Sequence, residues 1–362
     1  MGNSTAVAHI NRIGTAVPDH DVHTEFVGFA RTLLPDERSR NVFDRMAERA
    51  GIAHRFSFFR PGRLEAGEVD ADGFFQRGQF PNTAARMRRY DRWAVRLAQS
   101  AIANLHLEAG AFASITHLIV GSCTGFSAPG LDLQLARRFG LAPSVKRSVI
   151  GFMGCSAAVP VLRAAQEAVQ ADPHARVLTV NLELCTLHMQ ETSNLETILS
   201  FLLFGDGCAA ALVSAEPTGA ALDDFRAAVI PDSADLITWH IGDQGFDMHL
   251  SGKVPGRIAG ALRAELGADD TGLLRGEGTQ AVDHWAVHAG GRTVLDAVEI
   301  GLALPKQALA ASRAVLHDFG NMSSATVMFV LSRLLGATPG RGMAMAFGPG
   351  MVAETFRFRV LP

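Results

Sequence analysis

THLIVGSCTG, residues 116–125, and HWAVHAGG, residues 284–291, are the two stretches on which the fold turns. Each is a short apolar strand candidate running into a glycine-bearing turn. Each has a glycine-led apolar helix further on: GCSAAVPVLRAAQEAVQ at 154–170 and GNMSSATVMFVLSRLL at 320–335. The first of these helices is too hydrophobic to lie on a surface. RVLTVNLEL (176–184) and CAAALVS (208–214) add strands to the first set. MAMAFGPG (343–350) and VAETFRFRV (352–360) close the second as two strands around a Gly-Pro-Gly turn. The likeness is one of pattern, not of identity. It predicts an α/β protein with an internal duplication, its halves covering 1–218 and 219–362 across the turn-rich SAEPTGAAL (214–222). A ligand site between the halves follows, where α/β proteins tend to bind.

Ahead of this pattern the chain is more polar. RSRNVFDRMAERAGIAHRF (38–56) has apolar residues at helical intervals and stops at Gly51. RRYDRWAVRLAQSAIANL (88–105) predicts an amphipathic helix with Trp93, Leu97, Ala101 and Leu105 on one side. With 362 residues, 48% of them hydrophobic, the chain can bury a large core in about two domains. Lys and Arg number 33 against 36 Asp and Glu, which argues against a nucleic-acid partner. No apolar run approaches the roughly 18 residues of a transmembrane helix. The four cysteines, Cys123, Cys155, Cys185 and Cys208, form no C-x-x-C pair and no disulfide scaffold. MGNSTAVAHI lacks a basic region followed by an apolar core, so no secretory signal is expected. Gly2 suits myristoylation, but Ala6 stands where that motif needs Ser or Thr. A reduced cytoplasmic protein is the expectation.

Three residues invite a chemical reading. Cys155 follows Gly154 and opens a helix, whose dipole is expected to lower the thiol pKa and favour a nucleophilic thiolate; an unpaired Cys is otherwise a small core residue. His288 ends a strand before two glycines. His284 shares its strand face, but no third ligand stands at metal spacing and Asp283 faces the other way, so no metal is expected. A strand-end His is otherwise a satisfied structural residue. Asn321 opens a hydrophobic helix and reads as an N-cap. In one chain with Cys155 and His288 it also completes a Cys-His-Asn arrangement, with His and Asn donating to a developing oxyanion.

The chain resembles the type III polyketide synthases, the chalcone-synthase-like family, over nearly its whole length. The resemblance rests on six segments in order: GLAPSVKRSVIGFMGCSAA (140–158), FGDGCAAALV (204–213), GFDMHLSGKVPG (245–256), VHAGGRTVLDAVEIGLAL (287–304), GNMSSATVMFVL (320–331) and AFGPGMVAETF (346–356). It implies a duplicated thiolase-like αβαβα sandwich, a homodimer, and a catalytic triad of Cys155, His288 and Asn321. It further implies that Cys155 takes an acyl group from acyl-CoA and that malonyl-CoA extends it by decarboxylative condensation, with no carrier protein, metal or other cofactor.

The same resemblance assigns gatekeeper positions to Phe204 and to Met248, the latter a departure from the plant phenylalanine. Trp239 replaces a small residue and fills part of the plant cyclisation pocket. Thr124, Ala128 and Cys185 are small, as in members taking long acyl chains, and imply an acyl channel; His188 and Ser323 belong to the same pocket. Arg45 and Arg49, four apart on a helix, match basic CoA-binding positions, and Gly290, Gly291 and Gly350 let backbone approach the thioester arm. The expected activity is iterative condensation of a medium- or long-chain acyl-CoA with malonyl-CoA to alkylpyrones or alkylresorcinols. A single-round ketoacyl synthase, a short or aromatic starter, and a silent partner subunit are the alternatives.

Overall fold

The computed structural model describes residues 6–63, 68–108 and 110–362; Gly2 lies outside them. Strand β1 (His9–Ala16) is followed by the short pair β2 (His20–Asp21) and β3 (Phe56–Ser57), which brackets helices α1 (His23–Leu33) and α2 (Glu37–Arg49). Then come α3 (Thr83–Ala103), β4 (His117–Ser122), α4 (Leu131–Arg138), β5 (Lys146–Gly151), α5 (Ala158–Ala171), β6 (Arg176–Leu184), α6 (Leu195–Leu203) and β7 (Asp206–Ser214). The second half holds β8 (Ala220–Val229), the hairpin β9 (Ile237–Gly242) and β10 (Gly245–Leu250), α7 (Val254–Glu265), β11 (His284–Val287) and α8 (Arg292–Gly301). It ends with α9 (Ala310–Phe319), α10 (Ala325–Leu334), β12 (Gly340–Gly348) and β13 (Val352–Val360).

The duplication is visible in the pairing. In the first half β4 runs parallel to β6, β6 antiparallel to β7, and β7 antiparallel to β1. In the second, β11 runs parallel to β12, β12 antiparallel to β13, and β13 antiparallel to β8. Within the nine-stranded sheet the halves meet where β1 pairs with β8, at His9↔Ala221 and Ile10↔Ala220. Strand alternation sorts the side chains into layers. Ala209, Ala211 and Val213 of β7 face a central core shared with α5 and α10, whereas Cys208, Ala210 and Leu212 face α3 and α4. Likewise Ala344 and Ala346 of β12 face the centre, and Met343 and Met345 face α7 and α8. The result is an αβαβα sandwich, a thiolase-like fold.

Local sequence explains most boundaries. Asn82 caps α3 by accepting from Ala85 N at 2.9 Å, and Tyr90, Trp93 and Leu97 bury its inner face. Asp36 caps α2 through Ser39 N at 2.8 Å. Two expectations need correction. The glycine-led segment at 154 does not enter α5 directly: Gly154–Ser156 is a separate 3-10 turn, and α5 starts at Ala158. Asn321 is not an N-cap, because α10 starts at Ala325. No described helix is long and apolar enough to cross a membrane.

Candidate active site

The 3-10 turn carrying Cys155 is held by strained and close-packed backbone. Phe152 and Gly154 both have φ of +56°, the left-handed region. A Cβ on Gly154 would collide with Pro349, so only glycine fits. Gly154 N–H donates to Cys123 Sγ at 3.1 Å. Cys155 opens onto a cavity that also receives His288, Asn321 and Ser323. Burial pushes its thiol up to about 11, and hydrogen bonds from Ser323 and Asn321 only partly offset this. The expectation of a lowered thiol pKa is therefore corrected for Cys155 alone: desolvation by an apolar cavity outweighs a dipole that begins three residues later.

His288 follows β11, fixed by its N–H to Met345 O at 2.8 Å. It is 2% exposed, and neither ring nitrogen has a hydrogen-bond partner. Burial lowers its pKa to about 3, so the imidazole is neutral. A structural histidine buried this deeply would be satisfied; this one has both nitrogens free. His284, by contrast, bonds Thr338 O at 2.8 Å through Nε2.

Asn321 sits in a turn before α10. Its Oδ1 accepts from Ser323 N at 2.8 Å, and its Nδ2 donates to Gly290 O at 3.1 Å. The second Nδ2 hydrogen is available to the Cys155 side. Ser323, at φ +47°, is the strained member of that turn.

The floor of the cavity is built from the β9–β10 hairpin, where Met248 lies opposite Trp239. Trp239 Nε1 donates to Cys123 O at 2.8 Å. His188 is locked as a neutral tautomer: Nε2 donates to Thr124 O at 2.7 Å and Nδ1 accepts from Phe246 N at 3.0 Å. Burial lowers its pKa to about 3, which suits a wall rather than a proton carrier. Thr124 faces the cavity, but its hydroxyl is taken by Glu183 at 2.9 Å and Leu184 N at 2.9 Å. Glu183 escaped the sequence reading. It lies fully buried beneath the site, accepts from Cys123 N at 3.0 Å and Ser324 Oγ at 2.5 Å, and is pushed by burial up to about 7. A lone carboxylate in the apolar run RVLTVNLEL was its only signal.

Two further spaces adjoin this cavity. One shares Cys185, Phe201 and Phe204 with it and runs past Phe26 and Phe29 of α1 to the surface at Glu25 and Arg60. The other is an open cleft that shares Gly290 and is lined by Arg49, Gly291 and Arg292. The Cys155 cavity thus lies between two spaces that both reach the surface. Arg45 is exposed and is not among the residues lining the three spaces, although its neighbour Met46 lines the cleft. Arg292, missed in the sequence, takes its place beside Arg49, donating to Arg49 O at 3.3 Å. Gly350 also lines none of them; its φ of +71° serves the turn between β12 and β13. Ala128 is exposed and is not among the residues lining these three spaces; its loop lies by the end of β5, where Phe126 stacks on Phe152 at 5.2 Å. Thr124 and Cys185 do line the Cys155 cavity.

Comparison with known proteins gives consistent findings. The model of chalcone and stilbene synthases, N-terminal domain, matches residues 2–217, and that of the C-terminal domain matches residues 222–362. The alpha-pyrone synthesis polyketide synthase-like Pks18 of Mycobacterium tuberculosis is 29% identical over 376 residues, covering 99% of this chain and 92% of its own. The crystal structure of PKS-I from the brown alga Ectocarpus siliculosus has a TM-score of 0.85 at 31% identity, over 99% of this chain and all of that one. The C-terminal type III polyketide synthase domain of Steely1 from Dictyostelium has a TM-score of 0.87 at 22% identity, covering 98% of this chain and 100% of its own, a likeness of fold.

Proposed function

The chain belongs to the chalcone and stilbene synthase family, the type III polyketide synthases, and on that premise we propose that it is an iterative synthase that extends a medium- or long-chain acyl-CoA with malonyl-CoA. The observation that carries this reading is the series of spaces: an entrance cleft with two arginines, a cavity with Cys155, and a largely apolar chamber beyond Cys185. Arg49 and Arg292 pair with CoA phosphates, Cys155 receives the acyl group, and the chamber takes the alkyl tail.

The steps follow from the side chains. Neutral His288 accepts the Cys155 proton as the sulfur attacks the thioester carbonyl, and returns it to the departing CoA thiolate. Malonyl-CoA then loses carbon dioxide. The electron pair of the broken C–C bond moves into an enolate, whose oxygen takes hydrogen bonds from His288 and Asn321 Nδ2. The enolate carbon attacks the Cys155 thioester and expels the thiolate, which accepts the lengthened chain again for the next round. Attack of an enol oxygen on the terminal thioester expels the thiol and gives a pyrone; aldol closure with loss of water, followed by thioester hydrolysis and loss of carbon dioxide, gives a resorcinol. The name of the Mycobacterium relative favours pyrones. Acyl-CoA and malonyl-CoA are substrates here, and no cofactor, metal or carrier protein enters these steps. A homodimer along β5 accords with that strand's place at the sheet edge and with Val149 and Phe126, 50% and 39% exposed.

Burial alone holds the thiol high and the imidazole low, so the thiolate is useful only as a pair in which each charge offsets the other's desolvation. The expected result is a carboxamidomethylation rate for Cys155 with an inflection below that of free cysteine. His288→Ala is then expected to move it upward, towards the value of about 11 that burial sets. An inflection unchanged by His288→Ala would remove the pairing.

Chain length is tested at Cys185, which lines both the Cys155 cavity and the chamber beyond it. Cys185→Phe is expected to close it. Each methylene kept out of an apolar site costs about 0.8 kcal/mol, so excluding three lowers kcat/KM for palmitoyl-CoA by roughly 60-fold. Hexanoyl-CoA stays within about threefold. Equal loss with both starters would place the tail elsewhere, and one condensation only, with any starter, would favour a single-round ketoacyl synthase. A panel of acyl-CoAs with malonyl-CoA, read by product mass, gives both answers.

A further inference from the structure

Arg55 is 2% exposed, cationic, and behind the catalytic cavity rather than in it. Its Nε donates to His23 Nδ1 at 2.9 Å. Its Nη1 donates to two carbonyls, Phe201 O at 3.0 Å and Phe204 O at 2.6 Å. Its guanidinium lies over the Phe26 ring, 4.6 Å from the centroid. It lines the space proposed for the alkyl tail, and no chemical step of the reaction as described uses it.

The two carbonyls belong to the end of α6, where a helix leaves acceptors without partners. Many helices close with a left-handed glycine. Here the capping residue Phe204 is extended, at φ −87° and ψ 135°, and a cation at the negative end of the helix dipole takes over. The same turn grips the Asn321 backbone: Asn321 N–H donates to Leu203 O at 2.8 Å, and Gly205 N–H donates to Asn321 O at 3.0 Å. Gly320 closes the circle. At φ +67°, it approaches Arg55 so closely that a Cβ would stand 2.7 Å from Arg55 Cγ.

We propose that Arg55 is a positioning residue for condensation: it clamps the Phe201–Phe204 turn, and through it sets Asn321 where its amide meets the enolate and Phe204 where it bounds the acyl cavity. The inference rests on the functions proposed for Asn321 and Phe204. A guanidinium suits the task because its planar fork reaches the α6 carbonyls and His23 together; a lysine presents a point charge on a flexible stem. His23 must be neutral to accept at Nδ1, and burial, with Arg55 beside it, lowers its pKa to about 4.

The test compares wild type with Arg55→Lys, Arg55→Met, His23→Gln and His23→Leu. Two readouts are taken: malonyl-CoA decarboxylation and the fraction of Cys155 alkylated by iodoacetamide. Both are taken on the folded fraction isolated by size exclusion, because an unfolded chain also exposes its thiol, and decarboxylation is expressed per Cys155 alkylated in that fraction. The Arg55→Lys variant is expected to keep its Cys155 titre and lose about 30- to 100-fold in normalised decarboxylation, as ångström-scale misplacement does. His23→Gln, which keeps an acceptor for Nε, is expected within about threefold of wild type; His23→Leu falls with the lysine variant. The histidine pair carries the test if Arg55→Met does not fold. Normalised decarboxylation within twofold of wild type in Arg55→Lys, or equal activity of both His23 variants, overturns the proposal. A wild-type protein that takes up iodoacetamide but decarboxylates nothing overturns the proposed function first, and this inference with it.

Discussion

Cys155→Ala is expected to abolish polyketide formation while malonyl-CoA decarboxylation continues. The split follows from the division of labour in the cavity. Cys155 supplies the only atom to which the chain is tethered, so without Sγ no acyl group is held for the enolate to attack. Loss of a catalytic nucleophile lowers turnover by about 10⁴-fold or more. In the mechanism proposed above the enolate is stabilised by His288 and Asn321, which the substitution leaves in place. Alanine fits the 3-10 turn without strain on the neighbouring left-handed Gly154, so the fold is expected to survive. Intact-mass spectrometry after incubation with acyl-CoA would show an acyl adduct in wild type and none in the variant. Products of normal mass from the alanine variant would remove Cys155 from the mechanism.

Asn321→Ala is expected to do the reverse, leaving the thiol reactive and lowering decarboxylation by about 10²- to 10³-fold, the effect of removing one donor from an oxyanion site. Its Nδ2 is preorganised at the cost of one hydrogen, given to Gly290 O, and its Oδ1 is committed to Ser323 N. Alanine removes both tethers, so Ser323 is also released. Asn321→Asp separates the effects: a carboxylate still accepts from Ser323 N but repels an enolate, so decarboxylation is expected to stay as low as in the alanine variant. Restoration of activity by Asp would show that the turn, not the donor, matters. His288→Ala is expected to match Asn321→Ala in decarboxylation and to slow loading as well, because His288 alone also serves as the base.

Much of the architecture follows from local pattern. RVLTVNLEL and VAETFRFRV are strands over the very spans their apolar periodicity marks, and CAAALVS extends by only two residues, to Asp206. The glycine-led helices are buried because nearly every side chain in them is apolar. Motif order carried the chain to its family, and through it to Cys155, His288 and Asn321, which do share one cavity. Periodicity is a property of neighbours in sequence, and neighbours are what a sequence displays.

What the sequence left undecided depends on distant segments meeting. Arg45 and Arg49 look alike on a helix, but only Arg49 reaches the cleft, and Arg292 joins it from 243 residues away. Thr124, Ala128 and Cys185 read alike as small residues, but the fold buries Thr124 and Cys185 beside Cys155 and leaves Ala128 exposed. The thiol taken alone is raised for the same reason: a helix dipole is local and legible, whereas desolvation is the sum of everything packed around the sulfur. Family and layers were thus determined by the sequence alone, as was the choice of Cys155, His288 and Asn321 as candidates. Which cations face the cleft, where the chamber beyond Cys185 lies, and how Arg55 ties α6 to Asn321 were decided by tertiary structure, since burial and contact at long separation exist only once the two halves have closed on each other.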